Sequence, residues 1–227
     1  MNALVLLPLL VPLTAAALGL VAWRSASAQR LIALAGSAVL LAVGVVLLVV
    51  VERDGYQVLQ IGDWEAPFGI TLVADLFSAI LIVLTGVLAV AIVLYSTATI
   101  DSGRERHAYY PLTMVLLAGV AGTFLTGDLF NLYVWFEVLL IASFVLLALG
   151  GERAQLEGAL KYVALNLVAS AVLLVTIGVI YGLTGTVNLA DLSGRMDEVD
   201  PGLVAGLAAM LLIAFGIKAA LVPLFFW

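Results

Sequence analysis

The sequence predicts an all-α polytopic membrane protein, and three observations carry that prediction. Hydrophobic residues make up 65% of the 227 positions and mean hydropathy is +1.25. Only 11% of residues are charged, against about a quarter in soluble domains. The apolar residues gather into seven runs of about the 20 residues that a helix needs to cross the hydrocarbon core.

The first run, about 2 to 23, has no basic segment ahead of it and is too long for a signal-peptide core, so it is expected to stay as a span. The second and third lie at about 31 to 51 and 71 to 95. Between them, "VERDGYQVLQIGDWEAPFG" alternates apolar residues around Gly62-Asp63 and Pro67-Phe68-Gly69, which predicts a short outer hairpin over residues 52–70. The fourth and fifth runs, about 110 to 126 and 129 to 149, are separated only by "TGD", room for a tight hairpin and no more. The sixth and seventh lie at about 160 to 181 and from 203 to the end. Trp23, Tyr95, Tyr109, Tyr110 and Tyr181 fall at run edges, where interfacial rings prefer to lie.

Loop charge gives the direction. Arg24 and Arg30, Arg104 and Arg106, and Arg153 with Lys161 occupy alternate connections. The others hold Arg53 and Arg195 among Glu52, Asp54, Asp63, Glu65, Asp191, Asp197, Glu198 and Asp200. The positive-inside rule therefore predicts an outside N-terminus and a seventh span running inward. That span ends at "VPLFFW" with no basic anchor, which predicts a chain cut inside or just after its seventh helix. The net charge of -6 comes without a basic cluster and excludes a nucleic-acid partner. With no cysteine and one histidine, His107, no disulfide framework or metal centre is expected, nor any cofactor.

Two ionisable residues lie deep in spans: Glu137 in the fifth and Lys218 in the seventh. Such residues are costly in lipid and usually mark an ion or proton path. At about 4 Å and an effective dielectric near 20, their attraction would be about 4 kcal/mol, enough for the approach and departure of one to load and release a proton on the other. A static pair locking two helices is the alternative. Depth leaves the pairing open: Glu137 is about 12 Å from the outer end of its helix and Lys218 about 24 Å from Gly202. Pro223 is expected to kink or break the seventh helix, as in transporters whose broken helices line ion sites.

Other candidates support these two. Tyr133, one turn before Glu137, has the spacing to hydrogen-bond it. Asp75 is near the outer end of the third span. Lys161 begins the sixth span on the basic side, where its stem can snorkel. Glu157 before it, with Asn166, Ser170 and Thr176 further along, makes a polar track from that side. Asp128 belongs to the outer hairpin and Asn131 faces away from Glu137, so neither carries weight.

"WEAPFGITLVADLFSA", "TGDLFNLYVWFEVLLIASFVLLALGG", "LKYVALNLVASAVLLVTIGVIYGLTGTVNLADLS" and "FGIKAALVPLFFW" resemble the D subunit of Mrp-type multisubunit Na+/H+ antiporters, within the wider family of antiporter-like subunits of respiratory complex I. The resemblance runs from the outer hairpin to the last residue. It implies a 14-helix fold with two inverted repeats, each with a broken helix and a proton half-channel, of which this chain holds the N-terminal half. It implies that Glu137 and Lys218 are the switching ion pair and that Lys161 stands where relatives often have a basic residue. Residues 1–109 would then be three spans with the outer hairpin, and 110–227 the start of the proton-translocating domain.

The expected function is that of a non-enzymatic subunit of a monovalent cation/proton antiporter in the inner (plasma) membrane. Its partners would be other antiporter subunits, H+, Na+ or K+, and lipid. One alternative is a proton-pumping antiporter-like subunit of a complex I-type NADH dehydrogenase. Another takes the seven spans at face value as a retinal protein, with Lys218 as Schiff base and Asp75 as counterion. A third is an assembly scaffold with a static Glu137–Lys218 pair.

Overall fold

The computed structural model describes residues 3–225, so Phe226 and Trp227 of the seventh run lie outside the described residues. Each expected run contains a helix, and several helix starts follow capping side chains rather than the limits of the apolar stretch. A 3-10 turn at Ala3–Leu6 leads into α1 (Leu7–Val21). Ser25 accepts a hydrogen bond from Ala28 N–H and starts α2 (Ala26–Asp54), longer than its apolar run at both ends. The third run is corrected at its start: Thr71–Ala74 is a strand, β2, antiparallel to β1 (Gln57–Gln60). Its residues alternate and pair Gln60 with Thr71, whereas α3 (Leu76–Thr99) begins only where Asp75 and Ser78 form a reciprocal capping box. The hairpin therefore reaches beyond the expected 52–70 to Ala74.

The short α4 (Ser102–Arg106) precedes α5 (Tyr109–Leu125) and α6 (Leu129–Ala148). The sixth run is the core of a longer helix, α7 (Arg153–Thr184), which begins before Lys161. At 1.5 Å per residue it is about 48 Å long and projects past the hydrocarbon core. Asn188 caps α8 (Leu189–Arg195), and Asp200 caps α9 (Pro201–Lys218). Among the described residues, six helical segments, including α1 with its preceding turn, are long and apolar enough to span a membrane; α5, at 17 residues, is a shorter apolar helix.

Helices α1, α2, α3 and α5 pack as one group, and α6, α7 and α9 extend it through the α5–α6 contact. Close approach there depends on Gly122: the Trp135 indole lies against it in the space a Cβ would fill. At the hairpin end of the bundle the "TGD" turn is woven into the sheet. Thr126 bridges Leu72, Asp128 bridges Asn188, and Leu129 N–H donates to Val187 C=O at 2.9 Å. At the other end Arg30 from α2 makes two hydrogen bonds to the buried Glu105 of α4, 2.6 and 2.7 Å, and Tyr110 adds a third.

Candidate ion-translocation site

Glu137 and Lys218 approach from α6 and α9, and Ser170 of α7 stands between them. The Ser170 hydroxyl donates to Glu137 Oε1, and Lys218 Nζ donates to Ser170 Oγ at 3.1 Å. The ammonium also lies 4.9 Å from the centroid of the Phe136 ring, a cation–π geometry. Among the described residues there is no direct Glu137–Lys218 ion pair. A hydroxyl can donate once and accept twice, so Ser170 links acid and base in one line.

Three local features produce this meeting. On α7 the buried residues Asn166, Ala169, Ser170, Leu173, Thr176 and Ile177 recur at helical spacing, which turns Ser170 inward. On α6, Glu137 directly follows Phe136, whose ring packs 6.1 Å from that of Phe215 on α9. On α9, Lys218 is the last helical residue, where the helix dipole favours a cation. Glu137 is the ninth residue of α6 and Lys218 the eighteenth of α9, so α9 begins further from the site than α6 or tilts. The chain between Thr184 and Pro201, with α8 inside it, accommodates this.

The supporting candidates are placed differently. Tyr133 stacks on Phe130, centroids 6.1 Å apart, while Ser170 takes the hydrogen-bonding place beside Glu137. Asp75 is the α3 cap, accepting from Ser78 N–H at 2.7 Å, so it is not brought together with Lys218 as a Schiff-base counterion would be. Lys161 is exposed and pairs with Glu157 at 2.7 Å. Helix α9 ends at Lys218, and Pro223 lies in the turn that follows, with Ala220 at φ +55°. Of the polar track, Ser170 joins the site directly, Asn166 lies one turn away, and Thr176 bonds its own helix at Val172 C=O. Asp128 is buried as the α6 cap, and burial pushes its carboxyl above the usual range against the pull of the Asn131 and Phe130 N–H groups.

Sequence reading did not single out Ser170 as the link, and it did not find Phe136 or the Arg30–Glu105 pair. The signal for Ser170 was its spacing of four from Asn166 and eight from Tyr162. Arg30 and Glu105 carry no such signal, because their 75-residue separation is closed only by the fold.

The structure is a membrane module with an acid, a hydroxyl and an amine in line across three helices. Residues 126–227 match the family described as NADH:quinone oxidoreductase/Mrp antiporter, TM. Over 100% of its length the chain is 42% identical to the D subunit of the Na+/H+ antiporter of Bacillus subtilis (strain 168), covering 46% of that protein. It is 39% identical to the D subunit of a probable K+/H+ antiporter of Rhizobium meliloti (strain 1021), with 99% of the chain and 43% of the relative covered. A protein in the structure of the Mrp complex from a Dietzia species superposes with a TM-score of 0.89 at 34% identity, over 99% of this chain and 42% of that one. Residues 126–227 thus match that membrane family, and the chain as a whole is similar to the D subunits of Mrp-type antiporters. It spans about half the length of the curated relatives it matches.

Proposed function

We propose that the chain supplies one proton-carrying half of a monovalent cation/proton antiporter subunit, and that protons pass through Glu137, Ser170 and Lys218. The observation that carries this reading is the hydrogen-bonded line Lys218–Ser170–Glu137 across α9, α7 and α6. In this line the ammonium donates to the hydroxyl and the hydroxyl donates to the carboxylate. A proton leaving Lys218 toward Ser170 displaces the serine proton onto Glu137, and no bare charge crosses the gap. Because Lys218 ends its helix, its side chain can leave Ser170 without breaking an interior helical turn, and its departure ends the relay.

Residues 110–227 would begin the proton-translocating repeat, with residues 1–109 as its three-helix flank. Relatives named for Na+ and for K+ support a monovalent cation as the exchanged ion, and their status as subunits supports a hetero-oligomeric complex as the setting. The loop charges support the inner membrane with the N-terminus outside. The NADH:quinone oxidoreductase side of the family description supports a second reading, in which the same relay serves a redox-driven pump.

The test is cation/proton exchange in everted vesicles carrying the full-length subunit in its complex. Glu137→Gln and Lys218→Ala should each abolish exchange with the complex still assembled. Exchange that persists in Glu137→Gln would overturn the proposal and leave the scaffold reading in its place.

A further inference from the structure

We propose that the cavity between the hairpin and α7 binds a phospholipid whose headgroup carries an ammonium, with the ammonium on Asp128, the phosphate on Arg195 and one acyl chain along α7. This site is separate from the proton relay and does not depend on it.

Asp128 gives the reason to look for a cation. It caps α6 through Oδ1, which accepts from Asn131 N–H at 2.7 Å, and it is only 4% exposed. Among the described residues no basic side chain forms a salt bridge with it. Burying a carboxylate without a counter-charge is costly. The cap uses only part of the roughly four acceptor positions that a carboxylate offers, so a donor arriving from the cavity still finds a place.

The cavity has a volume of ≈ 340 Å³. Phe68 and Ile70 of the hairpin, Phe130 of α6, and Leu174, Gly178 and Tyr181 of α7 line it together with Asp128. Leu174, Gly178 and Tyr181 are spaced by four and three, so they lie along one face of α7 and form a groove about 10 Å long. Gly178 is its floor, since no described atom lies within 4 Å of where a Cβ would stand. An extended apolar chain fits such a groove. Tyr181 closes it at the end of an apolar run, where the hydrocarbon meets the headgroups.

Arg195 stands at that same end. Its Nη1 donates to Thr184 C=O at 2.9 Å, between Tyr181 and Val187, which both border the cavity. Asp128 is held beside them, because Leu129 N–H donates to Val187 C=O at 2.9 Å and Asp128 bridges Asn188. Arg195 is exposed and, among the described residues, makes no salt bridge to a carboxylate, so guanidinium donors remain for a phosphate. The loops at this end also carry Asp63, Glu65, Asp191, Asp197 and Glu198. These acids repel a lipid of net negative charge and accept a zwitterion. An acid and a base at the mouth of an apolar groove are the complement of an aminophospholipid.

The test uses the full-length subunit in its complex, delipidated in detergent and titrated with phosphatidylethanolamine, phosphatidylcholine or phosphatidylglycerol, with bound lipid counted by native mass spectrometry. Gly178→Leu fills the groove and replaces glycine by a better helix former, so the complex should assemble and hold one phosphatidylethanolamine fewer than wild type. Asp128→Asn keeps a capping side chain and should weaken phosphatidylethanolamine at that position about tenfold, the scale of a lost charge-assisted hydrogen bond, while phosphatidylcholine binding stays as it was. Arg195→Gln should weaken both lipids. Equal lipid counts in wild type and Gly178→Leu would overturn the site, and would be the outcome if another part of the complex covers the cavity. Phosphatidylglycerol held as tightly as phosphatidylethanolamine at the Gly178-sensitive position, or phosphatidylethanolamine binding unchanged in Asp128→Asn, would overturn the choice of headgroup.

Discussion

At the scale of single residues, the hydroxyl of Ser170 decides how Glu137 and Lys218 interact. Two opposite charges in lipid attract whether or not they touch, but a serine between them replaces an ion pair with a line of donors and acceptors. Ser170→Ala should keep the packing and break the line, lowering exchange by about fivefold or more, while Ser170→Thr should retain most of it; vesicle exchange assays on assembled complexes would read both. Glu105 makes the contrasting case. The Arg30 guanidinium holds its carboxyl below the ordinary value of 4.5, with Tyr110 helping and burial opposing. A depressed acid contributes stability that is present above its unfolded value and lost as pH falls through its folded value. The thermal midpoint of the full-length subunit in detergent should therefore drop on acidification below about pH 4.5, and Glu105→Gln should flatten that part of the profile. Arg30→Ala should lower the midpoint at neutral pH by leaving Glu105 buried without its cation.

Helix ends and helix contacts belong to the element scale. Apolar runs locate where α2 and α7 cross the membrane, but both helices continue past those runs because nothing in water-facing sequence stops a helix without a cap or a break. Capping side chains mark the observed starts: Ser25, Asp75 with Ser78, Asp128, Asn188 and Asp200 all stand at helix starts. The start of α3 was displaced in the sequence reading because Thr71–Ala74 is as apolar as a span and only its pairing with Gln57–Gln60 makes it a strand. The α5–α6 contact rests on Gly122 against Trp135, two residues before Glu137. Gly122→Ala should push the indole out and cost about 1–3 kcal/mol through overpacking. The measurable outcome is a lower melting temperature together with weaker exchange, since the displaced helix carries Glu137.

For the whole molecule, the hairpin end is closed by one connected polar assembly. Asn188 Nδ2 donates to Thr71 Oγ1 at 2.9 Å, Thr71 Oγ1 donates to Gln60 Oε1 at 2.8 Å, and Gly127 N–H donates to Thr71 C=O at 2.8 Å. These bonds tie the hairpin to the α5–α6 turn and to the start of α8, and Asn188 and Thr71 are buried. Asn188→Ala should cost about 1–3 kcal/mol for the partner groups left unpaired, and limited proteolysis within residues 55–70 should accelerate.

Membrane class, the apolar runs, the hairpin before α3 and the two ionisable residues inside spans were determined by the sequence itself, because lipid imposes length and composition rules that each segment must meet alone. The pairing of Arg30 with Glu105, the sheet contacts of the "TGD" turn, and the placing of Ser170 between Glu137 and Lys218 were decided only by the tertiary structure. Each joins residues 33 to 75 positions apart, and at such separations helix tilt and packing, which no local pattern encodes, choose which polar groups meet.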